Sequence, residues 1–360
     1  MNEKRCIRVL VVDDSAFMRT ALSRMIGSEF GCEVVATASS GSDALEKIPS
    51  LDPDVVTLDV EMPGLDGLAT LRRIMRHFPR PVIMVSAATE KDAEITFNAL
   101  SAGAFDYLPK QLSATTLEVL HIRSDLIAKI RAAARSRKRP LADPNFPKPP
   151  RPVRTESHAG SAPVPPAIVA LGVSTGGPKA LRAILPCFPH DFALPILIVQ
   201  HMPGGFTAPF AQHLNSLCSL AVREAVHREP IQPATVYIAP AGLQMRVEQR
   251  LSDSHMMISL DACPENALHV PSVDVLMKSV AQLYGPRALG VIMTGMGSDG
   301  AEGMKAIFSA GGFTIGQDEA TSTVYGMPRV CAKLGILSRI VPLGEIPTQI
   351  LQAVRRRRHA

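Results

Sequence analysis

Along the first 135 residues, short apolar runs alternate with stretches whose apolar positions recur every three or four residues. The runs at 7–12, 33–36, 55–58, 82–85 and 106–108 have strand length. The stretches at 16–26, 42–48, 68–77, 92–101 and 117–135 carry an amphipathic helical pattern. Five strands alternating with five helices predict a parallel sheet with helices on both faces, which collects ligands at the carboxyl ends of its strands. From residue 167 the alternation resumes less regularly. Strands are predicted at 168–171, 196–200, 236–239, 289–293 and 314–315, and helices at 179–185, 208–217, 273–283, 303–309 and 346–355. A small hairpin is expected within 246–260. Both halves are therefore α/β: a (βα)5 unit followed by a doubly wound, mainly parallel unit.

Composition places the boundary between them. Nine prolines fall between Pro140 and Pro166, among Lys, Arg, Ser and Gly. That is the composition of a semi-extended connector. The expected organisation is a first domain over 1–135, a basic Pro-rich linker over 136–166 and a second domain over 167–360. The net charge of +5 sits in the connector and the tail. Nine bases and one acid lie between Lys129 and Arg154, and Arg355–Arg358 add four bases. Without those thirteen bases and that acid, 25 bases face 32 acids, a balance of −7. No nucleic-acid-binding motif accompanies the charge, so nucleic acid is not an expected partner. No apolar run approaches the ~20 residues of a membrane span, and no signal-type segment opens the chain. Membrane insertion is not expected, and a cytoplasmic location is. The six cysteines are widely spaced and form no CxxC pair, which points to isolated thiols.

Chemistry concentrates where the predicted strands end. In the first domain, the strand ending at Val12 delivers Asp13 and Asp14, and the one ending at Leu58 delivers Asp59. Three carboxylates at one sheet edge suit Mg2+, a hard ion that prefers oxygen ligands. The fourth strand ends at Ser86 and the fifth leads to Lys110. A hydroxyl and an ammonium there are suited to hold a phosphoryl group on Asp59.

The motifs Val11-Val12-Asp13-Asp14-Ser15, Leu58-Asp59-Val60-Glu61-Met62-Pro63-Gly64-Leu65-Asp66-Gly67 and Ser86-Ala87 resemble the receiver domain of bacterial response regulators over roughly residues 5–130. The resemblance implies phosphorylation of Asp59 by a histidine kinase. It also implies Mg2+ held by Asp14, Asp59 and the Glu61 main-chain carbonyl, with Asp13 acting through water. Ser86, Lys110 and Tyr107 match the family's switch positions. Receivers usually place proline after the lysine; here Gln111 follows Lys110 and Pro109 precedes it.

In the second domain, an apolar strand runs into Gly172-Val173-Ser174-Thr175-Gly176-Gly177, and Pro178 opens the next helix. Such a turn exposes a hydroxyl beside helix N-terminal N–H groups, which are suited to an oxyanion. A serine needs a base, and the base needs an orienting group. His201 ends the second strand of this half. Asp299 lies in the glycine-rich segment Met293-Thr294-Gly295-Met296-Gly297-Ser298-Asp299-Gly300, after another strand. The glycine turn matches neither the Walker A pattern nor GxGxxG, and it departs from the α/β-hydrolase elbow. Taken as residues, two readings stay open: a Ser174–His201–Asp299 triad, or an anion-binding helix start. His190, His213, His227, His255 and His269 compete for the role of base, though none follows so clean a strand.

Ser174-Thr175-Gly176-Gly177, Val199-Gln200-His201-Met202, Ile238-Ala239-Pro240, Pro271-Ser272-Val273-Asp274 and Thr294–Gly300 resemble the chemotaxis protein-glutamate methylesterases, and the resemblance covers the whole chain. It implies Ser174 as nucleophile, His201 as general base and acid, and Asp299 as orienting carboxylate. The Thr175 and Met296 N–H groups become oxyanion donors. The implied substrates are glutamate γ-methyl esters, and selected glutamines, on the cytoplasmic helices of chemoreceptors. The hydrolysis needs no cofactor. Phosphorylation of Asp59 is expected to raise access to the hydrolase site. Where the family often carries histidine after Ala239-Pro240, this chain has Leu243-Gln244-Met245.

Overall fold

A computed structural model describes residues 6–87, 90–110, 116–137, 164–250, 255–262 and 269–355. The chain divides into two compact units, Met1–Pro147 and Lys148–Ala360. Most of the expected linker, together with Gln111 and Arg356–Arg358, lies outside the described residues.

The first unit alternates strand and helix as its apolar pattern requires. Its elements are β1 (Ile7–Val12), α1 (Ala16–Gly27), β2 (Cys32–Ala38), α2 (Gly41–Leu51), β3 (Val55–Asp59), α3 (Gly67–His77), β4 (Val82–Ser86), α4 (Glu90–Ser101), β5 (Asp106–Pro109) and α5 (Thr116–Arg137). The sheet order is β2-β1-β3-β4-β5, with every pair parallel. β3 and β4 are buried along their whole length, because helices cover both faces of a parallel sheet. Burying a side chain such as Leu58 contributes about 2 kcal/mol. Helix starts follow local chemistry. Ser15, Ser40 and Asp66 cap α1, α2 and α3 by accepting the Met18, Asp43 and Ala69 N–H groups. Each satisfies a donor that a helix end otherwise leaves open. α5 continues two residues past the expected boundary at 135.

The second unit contains β6 (Ile168–Val173), α6 (Gly177–Ile184), β7 (Ile196–Gln200), α7 (Thr207–Asn215), β8 (Ala221–Glu224), β9 (Thr235–Ile238), β10 (Leu243–Gln249) and β11 (Met256–Ala262). It continues with α8 (Val273–Tyr284), β12 (Ala288–Ile292), α9 (Ala301–Ser309), β13 (Phe313–Gln317), α10 (Met327–Lys333), β14 (Arg339–Val341) and α11 (Ile346–Arg355). Seven parallel strands run in the order β14-β13-β12-β6-β7-β9-β8, and β10 and β11 form a separate antiparallel hairpin. The chain builds outward from β6 on one side through β7, then returns to the other side through β12. The order therefore reverses between β6 and β12. That reversal opens a crevice at the carboxyl ends of the central strands.

Three elements of this unit escape the sequence pattern. β8 is a four-residue edge strand with only Val222 buried. β14 has three residues, and α10 has seven with Pro328 in its first turn. Each is too short to show a period. Among the described residues, no helix is long and apolar enough to cross a membrane. Cys6, Cys32, Cys187, Cys218 and Cys331 are free thiols.

Candidate active site

Two clusters stand at the carboxyl ends of the two sheets. In the first unit, β1 ends at Val12, so Asp13 and Asp14 follow it, and Asp59 closes β3 beside it. Asp13 and Asp59 are buried and Asp14 is exposed. One carboxylate oxygen from each lies within 4.8 Å of the others. Lys110 reaches in from beyond β5, its Nζ 3.0 Å from Asp13 Oδ2 and 2.7 Å from Asp59 Oδ2. Burial pushes the Asp59 carboxyl up to about 6; the Lys110 hydrogen bond opposes this and the Asp13 charge adds to it. Burial works to lower the Lys110 pKa, but hydrogen bonds and charge from Asp59 and Asp13 raise it on balance.

The Glu61 N–H donates to Asp59 Oδ1 at 3.3 Å, which turns the Glu61 peptide toward the acidic cluster. Gly67 lies so tightly under the Asp59 carbonyl that a Cβ there would overlap it. Ser86 ends β4 fully buried, and its Oγ accepts from Thr96 Oγ1 at 3.0 Å. Tyr107 is buried, and burial pushes its hydroxyl well above the ordinary value. Lys129 Nζ sits 5.3 Å from the Tyr107 ring centroid and donates to the Tyr107 carbonyl at 2.6 Å. Two buried carboxylates and one exposed one, with a single ammonium, form a donor set that fits a hard divalent cation.

In the second unit the expected residues gather in the crevice between β6 and β12. β6 and β7 pair with Val173 opposite Gln200, so Ser174 and His201 leave adjacent strand ends side by side. The His201 N–H donates to the Val173 carbonyl at 3.1 Å, and Ser174 N–H to the Thr294 carbonyl at 3.0 Å. A Cβ on Gly295 would meet Ser174 Cβ at 2.8 Å, so the glycine lets the segment after β12 pass directly beside the serine. Ser174 is half-buried.

Asp299 is buried and joins His201, with Oδ2 2.8 Å from the imidazole Nε2. The same carboxylate caps α8. Oδ1 accepts from Ser272 Oγ (2.8 Å), Asp274 N–H (3.1 Å) and its neighbour Gly300 N–H (3.1 Å); Oδ2 accepts from Val273 N–H at 2.7 Å. Burial alone would raise the Asp299 pKa. The His201 hydrogen bond and charge, then the α8 N–H groups, hold it well below the usual carboxylate range. No hydrogen bond joins Ser174 Oγ to His201 among the described residues. Such contacts often close only when substrate binds. Nor does any partner take the Thr175 or Met296 N–H there, and Met296, the residue after Gly295, is exposed.

Two contacts escape the sequence reading. Gln200, buried on β7, donates through Nε2 to both the Ser174 carbonyl (3.1 Å) and the His201 carbonyl (2.9 Å). It thereby clamps nucleophile and base. The residue was visible in Val199-Gln200-His201-Met202, but its direction was not. Its Oε1 accepts no hydrogen bond among the described residues and lies where a Gly177 Cβ would stand. Gly177→Ala is therefore expected to dislodge this clamp. The expected effect is a loss of about 1–3 kcal/mol in stability and roughly tenfold in turnover, read by thermal unfolding and by the rate of hydrolysis. The second is His269, whose ring stacks on His201. Its signal was weak: a lone histidine two residues ahead of Pro271-Ser272-Val273-Asp274.

Residues 169–350 match the family model described as CheB methylesterase, and residues 9–120 match the response regulator receiver domain. The chain belongs to the CheB methylesterase family. It is a methylesterase/glutaminase-type enzyme with a receiver domain at its N-terminal side. A protein-glutamate methylesterase/protein-glutamine glutaminase of Nitratidesulfovibrio vulgaris is 46% identical over 371 residues, covering 97% of this chain and 99% of the relative. A protein of the same name from Pyrococcus horikoshii is 42% identical, over 97% of this chain and 94% of the relative. The crystal structure of the Thermotoga maritima CheB methylesterase catalytic domain superposes with a TM-score of 0.50 at 35% identity. That match covers 52% of this chain and 99% of the Thermotoga domain.

Proposed function

We propose that this CheB-family chain hydrolyses glutamate γ-methyl esters on chemoreceptors, and deamidates selected receptor glutamines, under control of phosphorylation at Asp59. The observation that carries the reading is the buried Asp299–His201 hydrogen bond of 2.8 Å beside Ser174. His201 Nε2 is committed to Asp299, so Nδ1 is the ring nitrogen that accepts the Ser174 proton. Ser174 Oγ attacks the ester carbonyl carbon while His201 takes that proton. The Thr175 and Met296 N–H groups receive the oxyanion. Collapse breaks the bond to methoxide, which leaves as methanol with the proton from His201. Water, deprotonated by His201, then cleaves the acyl-enzyme to glutamate and free serine. A primary amide follows the same course with ammonia as leaving group. None of these steps needs a metal or cofactor.

On the receiver, Asp59 Oδ accepts a phosphoryl group from a chemotaxis histidine kinase. Asp13, Asp14 and Asp59, with the Glu61 carbonyl, would hold Mg2+, which when bound offsets phosphoryl charge. Lys110 and Ser86 then meet the phosphoryl oxygens, and Tyr107 belongs to the same switch. The reaction is proposed to take place in the cytoplasm, on methylated receptor helices.

The test is methanol release from methylated receptor membranes, with and without a small phosphodonor and Mg2+. The donor is expected to raise the wild-type rate at least about tenfold. Asp59→Asn is expected to keep the basal rate and lose the stimulation. Equal stimulation of wild type and Asp59→Asn would remove Asp59 from the proposal. No methanol from the wild type would remove the esterase reading itself.

A further inference from the structure

We infer that His269 is a positioning residue for His201, acting through the face of its ring; the inference rests on the Ser174–His201–Asp299 reading above. The two imidazoles are stacked face to face, with centroids 4.4 Å apart and planes 8° from parallel. The His201–Asp299 hydrogen bond fixes the direction of one ring nitrogen. It does not fix the tilt of the ring about that direction. A flat neighbour against the ring face removes that freedom. With Nε2 on Asp299 and one face covered, the opposite nitrogen is aimed in a single direction.

His269 is itself held from behind. Gln244, buried on β10, donates Nε2 to the His269 carbonyl at 2.8 Å, and its Oε1 accepts the Ser272 N–H at 2.7 Å. The Gly242 N–H donates to the Val270 carbonyl at 3.3 Å. Further along the hairpin, the Val247 N–H donates to Ser279 Oγ of α8 at 3.0 Å. Residues 269–274 thus frame the base from two sides. His269 covers the ring face, and Ser272, Val273 and Asp274 grip the carboxylate at its edge. The β10–β11 hairpin, which lies apart from the main sheet, gains a role here: it carries the glutamine that sets this segment. The chain's Gln244, standing where the family often has histidine, is this brace.

The test compares His269→Ala, His269→Gln and His269→Phe with wild type and Ser174→Ala in the full chain, by methanol release from methylated receptor membranes. Ala and Gln remove the ring face; Gln keeps a polar side chain. Phe restores a flat ring without its nitrogens. Ala and Gln are each expected to lower kcat about tenfold with KM changed less than about twofold, and Phe to return kcat to within about threefold of wild type. Melting temperatures are matched first, and the Gln–Phe pair decides even where Ala fails to fold. A wild-type kcat in His269→Gln overturns the inference. So does a Phe variant as slow as Gln, or a loss confined to KM, which would make His269 a substrate contact. Methanol release by Ser174→Ala would instead overturn the triad reading. An inactive Ser174→Ala beside a fully active His269→Gln would overturn the stack alone.

Discussion

Ser174→Ala is expected to lower methanol release from methylated receptor by at least about 10^4-fold while leaving the fold intact. The size follows from chemistry: without Oγ no acyl-enzyme forms, and the oxyanion donors and binding alone retain only a residual rate. The preserved fold follows from the surroundings. The Ser174 hydroxyl has no hydrogen bond among the described residues, while its backbone N–H and carbonyl are tied to Thr294, Gly177 and Gln200. Removing one half-buried, unbonded oxygen should therefore change stability by less than about 0.5 kcal/mol. Methanol quantified against time, with a parallel thermal melt, checks both halves. A variant that keeps more than a few per cent of the rate would move the nucleophile elsewhere. A chain whose second domain only binds partners would release no methanol even as wild type.

Asp299→Asn is expected to cost about 10^4-fold in kcat, for a reason specific to this cage. The carboxylate accepts from His201 and from Ser272, Val273, Asp274 and Gly300. An asparagine has one oxygen for those donors. The α8 N-terminus claims it, because its N–H groups have no other partner there. The amide NH2 is then turned to His201 Nε2. That nitrogen must become an acceptor, the proton moves to Nδ1, and no lone pair faces Ser174.

The same substitution is expected to cost roughly 2–3 kcal/mol of stability at neutral pH, from donors left short of an acceptor. The pH dependence has a defined sign. Asp299 has a lowered pKa in the folded state, so the fold favours its charged form. Its contribution is full above the unfolded value of about 3.9 and is lost as the pH falls below it. Unfolding measured between pH 6 and pH 3 should therefore show a gap between wild type and Asp299→Asn that holds steady down to about pH 4–5 and narrows below it. A constant gap would assign the loss to packing.

Much of the architecture was legible because parallel sheets covered on both faces write themselves as short, wholly apolar runs. β1, β3, β4, β6 and β7 were visible for this reason, and the acidic and hydroxyl residues at their ends followed. β8, α10 and β14 were not, since three to seven half-exposed residues carry no measurable period. Asp13, Asp59, Ser174 and His201 could be placed at strand ends from spacing alone. Asp299 could be placed only loosely, seven residues beyond β12 through a glycine-rich turn.

The chain's order of apolar runs thus determined two α/β units and which residues leave each sheet edge, because burial dictates strand and helix one residue at a time. Tertiary structure alone decided that β12 returns beside β6 and opens a crevice there, that Asp299 is gripped by the start of α8, and that Gln200 and His269 support the base. Apart from the bond between the neighbours Gln200 and His201, those contacts join positions 25 to 120 residues apart. Their side chains meet only through strand order and the turn of one ring, which no local pattern along the chain encodes.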